Sequence, residues 1–179
     1  MNTYIALLRG INVGGQKKIK MIDLKAMFLN IGFKDVVTYI QSGNVVFKSD
    51  AQEIQVLEER IIKGIADTFG FDVPVLVKTK TEIAKILQES PYNKTEDLEA
   101  NRIYYVLLKE QPKQDAIAGL VQQDYPNELF SIRKNCVYLN CIYGAGKAKL
   151  TNNIVERKLK VAATTRNHRT MLKLLALSD

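Results

Sequence analysis

The sequence predicts an α+β protein built from two small units. Short apolar runs alternate with helical apolar patterns in the order strand, helix, strand, strand, helix, and this order occurs twice along the 179 residues. A polar, acidic stretch without periodicity separates the two copies at residues 91–101. We therefore expect a first unit at 1–90, a linker at 91–101 and a second unit at 102–179.

In the first unit, the apolar run at 4–9 predicts a strand because it is short and leads directly into a glycine-bearing loop. Apolar residues at helical spacing predict a helix over 24–31 and a second one over 54–65. The strands expected at 36–40, 44–48 and 73–78 complete the order strand, helix, strand, strand, helix, strand. This order is typical of a ferredoxin-like unit, an antiparallel sheet backed by two helices.

The second unit is predicted to be a similar α+β unit that ends in two helices instead of a last strand. Residues 79–90 precede it and predict a further helix, which Pro91 stops. The expected elements of the second unit are a strand at 103–108, a helix opened by Pro112, strands at 129–132 and 137–143, and helices at 150–159 and 168–177.

The composition favours an ordinary globular protein, with 46% hydrophobic and 25% charged residues. Apolar runs are far shorter than the roughly 20 residues of a membrane helix, and the N-terminus lacks the pattern of a secretory signal. Two cysteines fit a reducing compartment. We therefore expect a cytoplasmic bacterial protein that has no membrane partner. The formal net charge of +7 suggests anionic partners, although it is also explained by solubility alone.

The loop after the first strand contains the first candidate site, made of Arg9, Asn12, Gly14, Gly15 and Lys17. Glycines let backbone N–H groups approach a phosphate, and the following helix presents its positive end. Arginine adds a fixed fork of donors suited to phosphate or carboxylate. The Walker pattern is absent, and a flexible turn with solvated lysines explains the loop equally well.

The predicted hairpin turn contains the second candidate site, Gln41, Ser42 and Asn44. These amides and this hydroxyl belong to the same predicted sheet as the first loop, so they can orient a ligand beside it. Ordinary turn chemistry also accounts for a Ser-Gly-Asn sequence.

The third candidate site is Thr165, Arg166 and Asn167, immediately before the last apolar run. Cations at a helix start oppose the helix macrodipole, and a bound anion would resolve the conflict. In that case Arg166→Ala would be neutral or stabilising without ligand. The alternative is that Arg166 precedes the helix and pairs with an acidic neighbour from elsewhere in the chain.

Catalytic and metal-binding patterns are sparse. His168 is the single histidine, and Cys136 and Cys141 lack the spacing of a metal site and resemble small core residues. We expect no metal and no cofactor, and the sequence assigns none of these three residues a chemical role.

Two long blocks and one short block resemble the domain-of-unknown-function 1697 family of bacterial proteins. The blocks are Leu-Leu-Arg-Gly-Ile-Asn-Val-Gly-Gly at 7–15, Thr-Tyr-Ile-Gln-Ser-Gly-Asn-Val-Val-Phe at 38–47, and Thr-Thr-Arg-Asn at 164–167. The resemblance implies a compact α+β protein and no established activity.

These observations predict a protein that binds a phosphate-bearing anionic ligand, a nucleotide or nucleic acid, in a basic cleft formed by all three candidate segments. Two alternatives stay open: a small enzyme acting on an anionic substrate, and an interaction protein with no ligand site.

Overall fold

A computed structural model describes residues 1–51 and 53–179. The described residues form eight strands and seven α-helices, and the strands make two four-stranded antiparallel sheets. The predicted α+β class is therefore confirmed. The chain divides into two compact units, Met1–Lys85 together with Lys173–Asp179, and Ile86–Leu172. The sequence predicts a first unit that ends at residue 90 and a second unit that begins at residue 102. These boundaries differ from this division, and they stay a prediction.

The elements of the first unit are β1 (Asn2–Leu8), α1 (Met21–Asn30), β2 (Lys34–Tyr39), β3 (Asn44–Ser49), α2 (Ile54–Phe69) and β4 (Val75–Thr79). The strand β1 lies between β3 and β4, in the order β2-β3-β1-β4. The predicted hairpin between β2 and β3 is present, with Tyr39 opposite Asn44 at its closed end.

The core of the first unit lies between this sheet and the apolar stripes of α1 and α2. Phe28 of α1 packs against Phe33 and Phe47, with ring centroids 4.4 to 5.7 Å apart among the three. Each fully buried large apolar side chain contributes about 1.5–3 kcal/mol. This packing holds α1 against β3 of the sheet.

The remaining elements of the chain are α3 (Lys80–Gln88), α4 (Thr95–Glu99), β5 (Ile103–Leu108), α5 (Gln114–Val121), β6 (Leu129–Arg133), β7 (Cys136–Asn140), α6 (Asn152–Leu159), β8 (Ala163–Asn167) and α7 (His168–Leu177). The second unit contains a sheet in the order β6-β7-β5-β8. Its core includes Val106, Val137, Leu120 and Val155, which come from two strands and two helices.

The expectation that a helix replaces the last strand of the second unit is wrong. Ala163–Asn167 forms the strand β8, which pairs with β5 and places Arg166 opposite Tyr105. This segment has no apolar run, so its sequence lacks the usual strand signal. Its strand conformation comes from pairing with β5. The predicted linker 91–101 also contains the short helix α4.

Glutamates of α2 and α6 bind backbone groups of the edge strands β4 and β8. Glu58 Oε1 of α2 accepts from the amide of Val77 at 3.0 Å, and Glu156 Oε1 of α6 accepts from the amide of Ala163 at 2.7 Å. Unpaired amides at a sheet edge would otherwise favour pairing with another chain. These carboxylates therefore help to protect the edge strands β4 and β8.

Candidate functional site

The loop between β1 and α1 closes through a tight turn at its two adjacent glycines. Gly14 and Gly15 have φ angles of +58° and +76°, and the amide of Gln16 donates to the carbonyl of Val13 at 3.0 Å. Positive φ at both central positions is the geometry of a type I′ turn, which glycine adopts most easily. No atom lies within 4 Å of a Cβ built on either glycine, so the tip of the loop is open.

Asn12 joins this loop to the β2–β3 hairpin. Its Nδ2 donates to the carbonyls of Ile19 and Gln41, both at 2.9 Å, and its Oδ1 accepts from the amide of Ile19 at 2.9 Å. The structure thus brings Asn12 and Gln41 together. The side-chain amide of Asn12 makes structural hydrogen bonds on both of its polar atoms.

The hairpin turn approaches the start of the loop closely at Gly43. Its carbonyl accepts from the amide of Leu8 at 2.8 Å, and its φ is +77°. A Cβ at this position would lie 2.7 Å from Leu8 Cβ and 2.9 Å from Ile11 Cδ1. Only glycine therefore fits here without displacement of its neighbours.

Asn44 and Ser42 stabilise the hairpin from inside. Asn44 is completely buried, and its Nδ2 donates to the carbonyl of Tyr39 at 3.0 Å and to Ser42 Oγ at 2.9 Å. A ligand outside the protein cannot reach the Asn44 side chain in this conformation.

Arg9 and Lys17 also have backbone partners. Arg9 is half-buried, and its amide donates to the carbonyl of Pro74 at 2.9 Å. Lys17 Nζ donates to the carbonyl of Asp72. The loop is thus tied to the segment that precedes β4.

An open concavity of about 570 Å³ lies where this loop enters α1. The side chain of Lys20, the N-cap residue of α1, makes no capping hydrogen bond. The sequence did not assign Lys18, Lys20, Ile22 or Phe69 to a site. The available signal was the Lys-Ile-Lys alternation at 18–20, which buries Ile19 and exposes both lysines. The concavity is lined by Asn12, Lys18, Ile19, Lys20, Met21, Ile22, Asp23, Gln41 and Phe69.

The third candidate segment lies in the second unit, and its side chains have structural contacts. Arg166 is buried in β8, and its Nη1 donates to Thr164 Oγ1 and to the Thr165 carbonyl, both at 2.8 Å. Burial lowers the pKa of Arg166 to about 10. Asn167 Oδ1 accepts from the amide of Thr170 at 2.9 Å, in the first turn of α7.

The side chain of Thr165 also has a structural contact. Thr165 Oγ1 donates to Asn152 Oδ1 at 2.8 Å. The prediction that the charge of Arg166 opposes the dipole at the start of the last helix is wrong. Arg166 lies in the strand β8, and α7 begins only at His168. The expectation that all three candidate segments line one cleft stays a prediction.

The cysteines and the histidine have their own environments in the second unit. Cys136 and Cys141 are buried thiols that form no disulfide, and burial raises the pKa of Cys141 to about 11. His168 Nδ1 lies 2.8 Å from the Tyr105 hydroxyl. Burial raises the pKa of Tyr105 to about 12 and lowers that of His168, so we infer that the phenol donates to a neutral imidazole.

The glycine- and lysine-containing loop at 144–149 resembles a phosphate loop only superficially. The buried Glu128 Oε1 accepts from the amide of Lys149 at 2.8 Å and from the amide of Leu150. These are the amides that lead into α6, and an internal carboxylate already binds them. Within residues 1–51 and 53–179, no group of three or more His, Cys, Asp or Glu side chains is arranged to hold a metal ion.

None of the helices in the described part of the chain has the length and apolar character needed to cross a membrane.

Comparison with known proteins agrees with the fold and leaves the activity open. A conserved bacterial protein from Streptococcus pneumoniae has a similar solved structure, with a TM-score of 0.78 and 24% sequence identity, over 99% of this chain and 98% of that one. At this identity the likeness shows the fold alone. No curated protein matches the chain. The model of the family described as "Protein of unknown function (DUF1697)" matches residues 1–138. The chain therefore belongs to the DUF1697 family of proteins of unknown function.

Proposed function

We propose that this protein binds a phosphate-bearing anionic ligand, a nucleotide or nucleic acid, in the basic concavity at the start of α1. The observation that carries the proposal is the presence of Lys18 and Lys20 in one concavity with the first turn of that helix. Arg9, Gly14, Gly15 and Gln41 stay candidate contacts around it.

Electrostatics supports an anion at this position. Residues 1–50 contain seven basic and three acidic side chains, an excess of four positive charges. Cations near a helix N-terminus each cost about 0.3–1 kcal/mol against the macrodipole, whereas an anion there is stabilised. A bound phosphate would therefore interact favourably with the lysines and with the helix end.

The direct test is isothermal titration calorimetry with ATP, AMP, ribose 5-phosphate, inorganic phosphate and a single-stranded oligonucleotide. We expect at least one of these probes to bind the wild-type protein, and Lys18→Ala/Lys20→Ala to weaken that binding at least tenfold, which corresponds to about 1.4 kcal/mol. Lys25→Ala is the matched control, because Lys25 is exposed on α1 but does not line the concavity. Absence of binding by every probe, or equal losses in both variants, would reject the proposal.

Salt dependence separates a polymer from a small ligand. If the protein binds single-stranded nucleic acid along a basic stripe, log affinity should fall with log salt with a slope of about −0.7 per phosphate contacted. A slope that reflects several contacts would indicate nucleic acid. Small-molecule binding without affinity for the oligonucleotide would exclude it. Turnover of a bound probe would instead indicate the enzyme alternative.

We also propose that each unit is a ferredoxin-like unit. The support is the shared order strand, helix, strand, strand, helix, strand, and the matching sheet orders β2-β3-β1-β4 and β6-β7-β5-β8. A solved structure in which either sheet had another strand order would contradict this assignment.

A further inference from the structure

The concavity at the start of α1 has an apolar wall that a phosphate does not require. Ile22 is 74% exposed on the first turn of the helix, and the half-buried Met21 and Phe69 lie beside it in the lining. Phe69 comes from the far end of α2, so the wall is assembled by tertiary packing. An exposed apolar surface inside a concavity is typical of a site that accepts an apolar group.

The polar side chains in the same lining are available to a ligand. Within the described residues, the side chains of Lys18, Lys20, Asp23 and Gln41 make no hydrogen bond or ion pair. Gln41 uses only its backbone carbonyl, which accepts from Asn12. The site therefore offers two cations, one carboxylate and one amide around an apolar wall.

From this arrangement we infer that the preferred ligand is a nucleoside monophosphate, with its phosphate on Lys18 and Lys20 and its base against Ile22 and Phe69. This inference rests on the proposed function and narrows it. The concavity of about 570 Å³ falls within the roughly 300–1,000 Å³ of small-molecule sites. A phosphate monoester carries a charge of about −1.5 to −2 near neutral pH, which two lysines balance.

The remaining polar groups fit the other parts of such a ligand. The Asp23 carboxylate can accept hydrogen bonds from ribose hydroxyls, as acidic residues do in other nucleotide sites. The Gln41 amide both donates and accepts, so it can pair with the edge of a base. A triphosphate would bring more negative charge than the two lysines balance, and Asp23 would repel the surplus.

The test compares ligands that differ by one part at a time. Calorimetry with inorganic phosphate, ribose 5-phosphate, AMP and ATP should give the tightest binding for AMP, about tenfold tighter than for ribose 5-phosphate, which corresponds to about 1.4 kcal/mol from contact of the base with the apolar wall. Ile22→Ser should remove this tenfold preference for AMP over ribose 5-phosphate. Leu29→Ser is the matched control, since Leu29 is 46% exposed on the same helix and lies outside the lining.

The outcomes separate this inference from the proposal on which it rests. Equal affinities for AMP and ribose 5-phosphate, or an unchanged preference in Ile22→Ser, would overturn the monophosphate inference while anion binding stands. Tighter binding of ATP or of an oligonucleotide would overturn it in favour of a larger polyanion. Absence of binding by all probes would reject both. Thermal unfolding of each variant without ligand checks that the exposed substitutions leave the fold intact.

Discussion

Replacing Arg166 with alanine should destabilise the protein, which reverses the effect expected if this residue stood at a helix start. In the structure its guanidinium is buried in β8 and donates from Nη1 to Thr164 Oγ1 and to the Thr165 carbonyl. A hydrogen bond that involves a charged group contributes about 1.5–3 kcal/mol. Truncation removes both bonds and leaves a cavity beneath the strand.

One effect opposes this loss. Burial disfavours the charged guanidinium and lowers the pKa of Arg166 to about 10, so removal of the charge relieves a desolvation penalty. The two bonds and the lost packing together exceed this relief, and we expect a net loss of about 3 kcal/mol at pH 7. Arg166→Met keeps an aliphatic stem of similar length without the charge, so it should cost only about 1 kcal/mol.

Urea denaturation followed by circular dichroism measures the difference. With a slope of about 2 kcal/mol per molar urea, a loss of 3 kcal/mol lowers the midpoint by about 1.5 M. Arg166→Met should fall between the wild type and Arg166→Ala. An unchanged or raised midpoint in Arg166→Ala would refute the structural role and would favour the ligand-binding role that the sequence suggests.

Three further predictions concern stability. The pKa of His168 is lowered by burial, so the unfolded chain binds its proton more readily and stability should fall as pH drops through about 6.5. Because the chain has one histidine, His168→Asn should make the unfolding midpoint nearly independent of pH between pH 7.5 and 5.5. A midpoint that still falls with pH in this variant would show that another group causes the loss of stability. Glu128→Ala removes the acceptor of two backbone amides and should lower the free energy of unfolding by about 3 kcal/mol. This loss corresponds to a fall of about 6–12 °C in Tm. A fall under about 2 °C would contradict the structural role of the carboxylate. Gly43→Ala should lower the Tm more than Gly70→Ala. Both glycines have positive φ, but only a Cβ at position 43 would clash with neighbouring side chains. Equal losses of Tm would mean that the hairpin shifts to accommodate the added methyl group at no cost.

Local patterns were sufficient for most of the fold. The strand β1, both helices of the first unit and the β2–β3 hairpin follow from apolar periodicity and turn residues, which act between residues close in sequence. The strand β8 does not, because its polar residues carry no periodic signal and its conformation depends on pairing with β5.

The candidate site was only partly predictable for the same reason. Glycine at 14 and 15 indicated a turn, because the need for positive φ is a local property. The structural roles of Asn12 and Asn44 were not visible, since the same amides can bind either a ligand or a distant backbone carbonyl. Which of the two they bind depends on what the fold places beside them.

The sequence by itself determined the α+β class, the repeated element order, the basic character and the family resemblance, since each depends on composition or on neighbours along the chain. Only the tertiary structure decided that Arg166 is buried and that Glu128 binds the amides leading into α6. It also brought Phe69 beside Lys18 in one concavity. The contacts of Glu128 and the placement of Phe69 bring together residues far apart in sequence. Such contacts depend on how the helices and strands pack, so a local sequence pattern does not predict them.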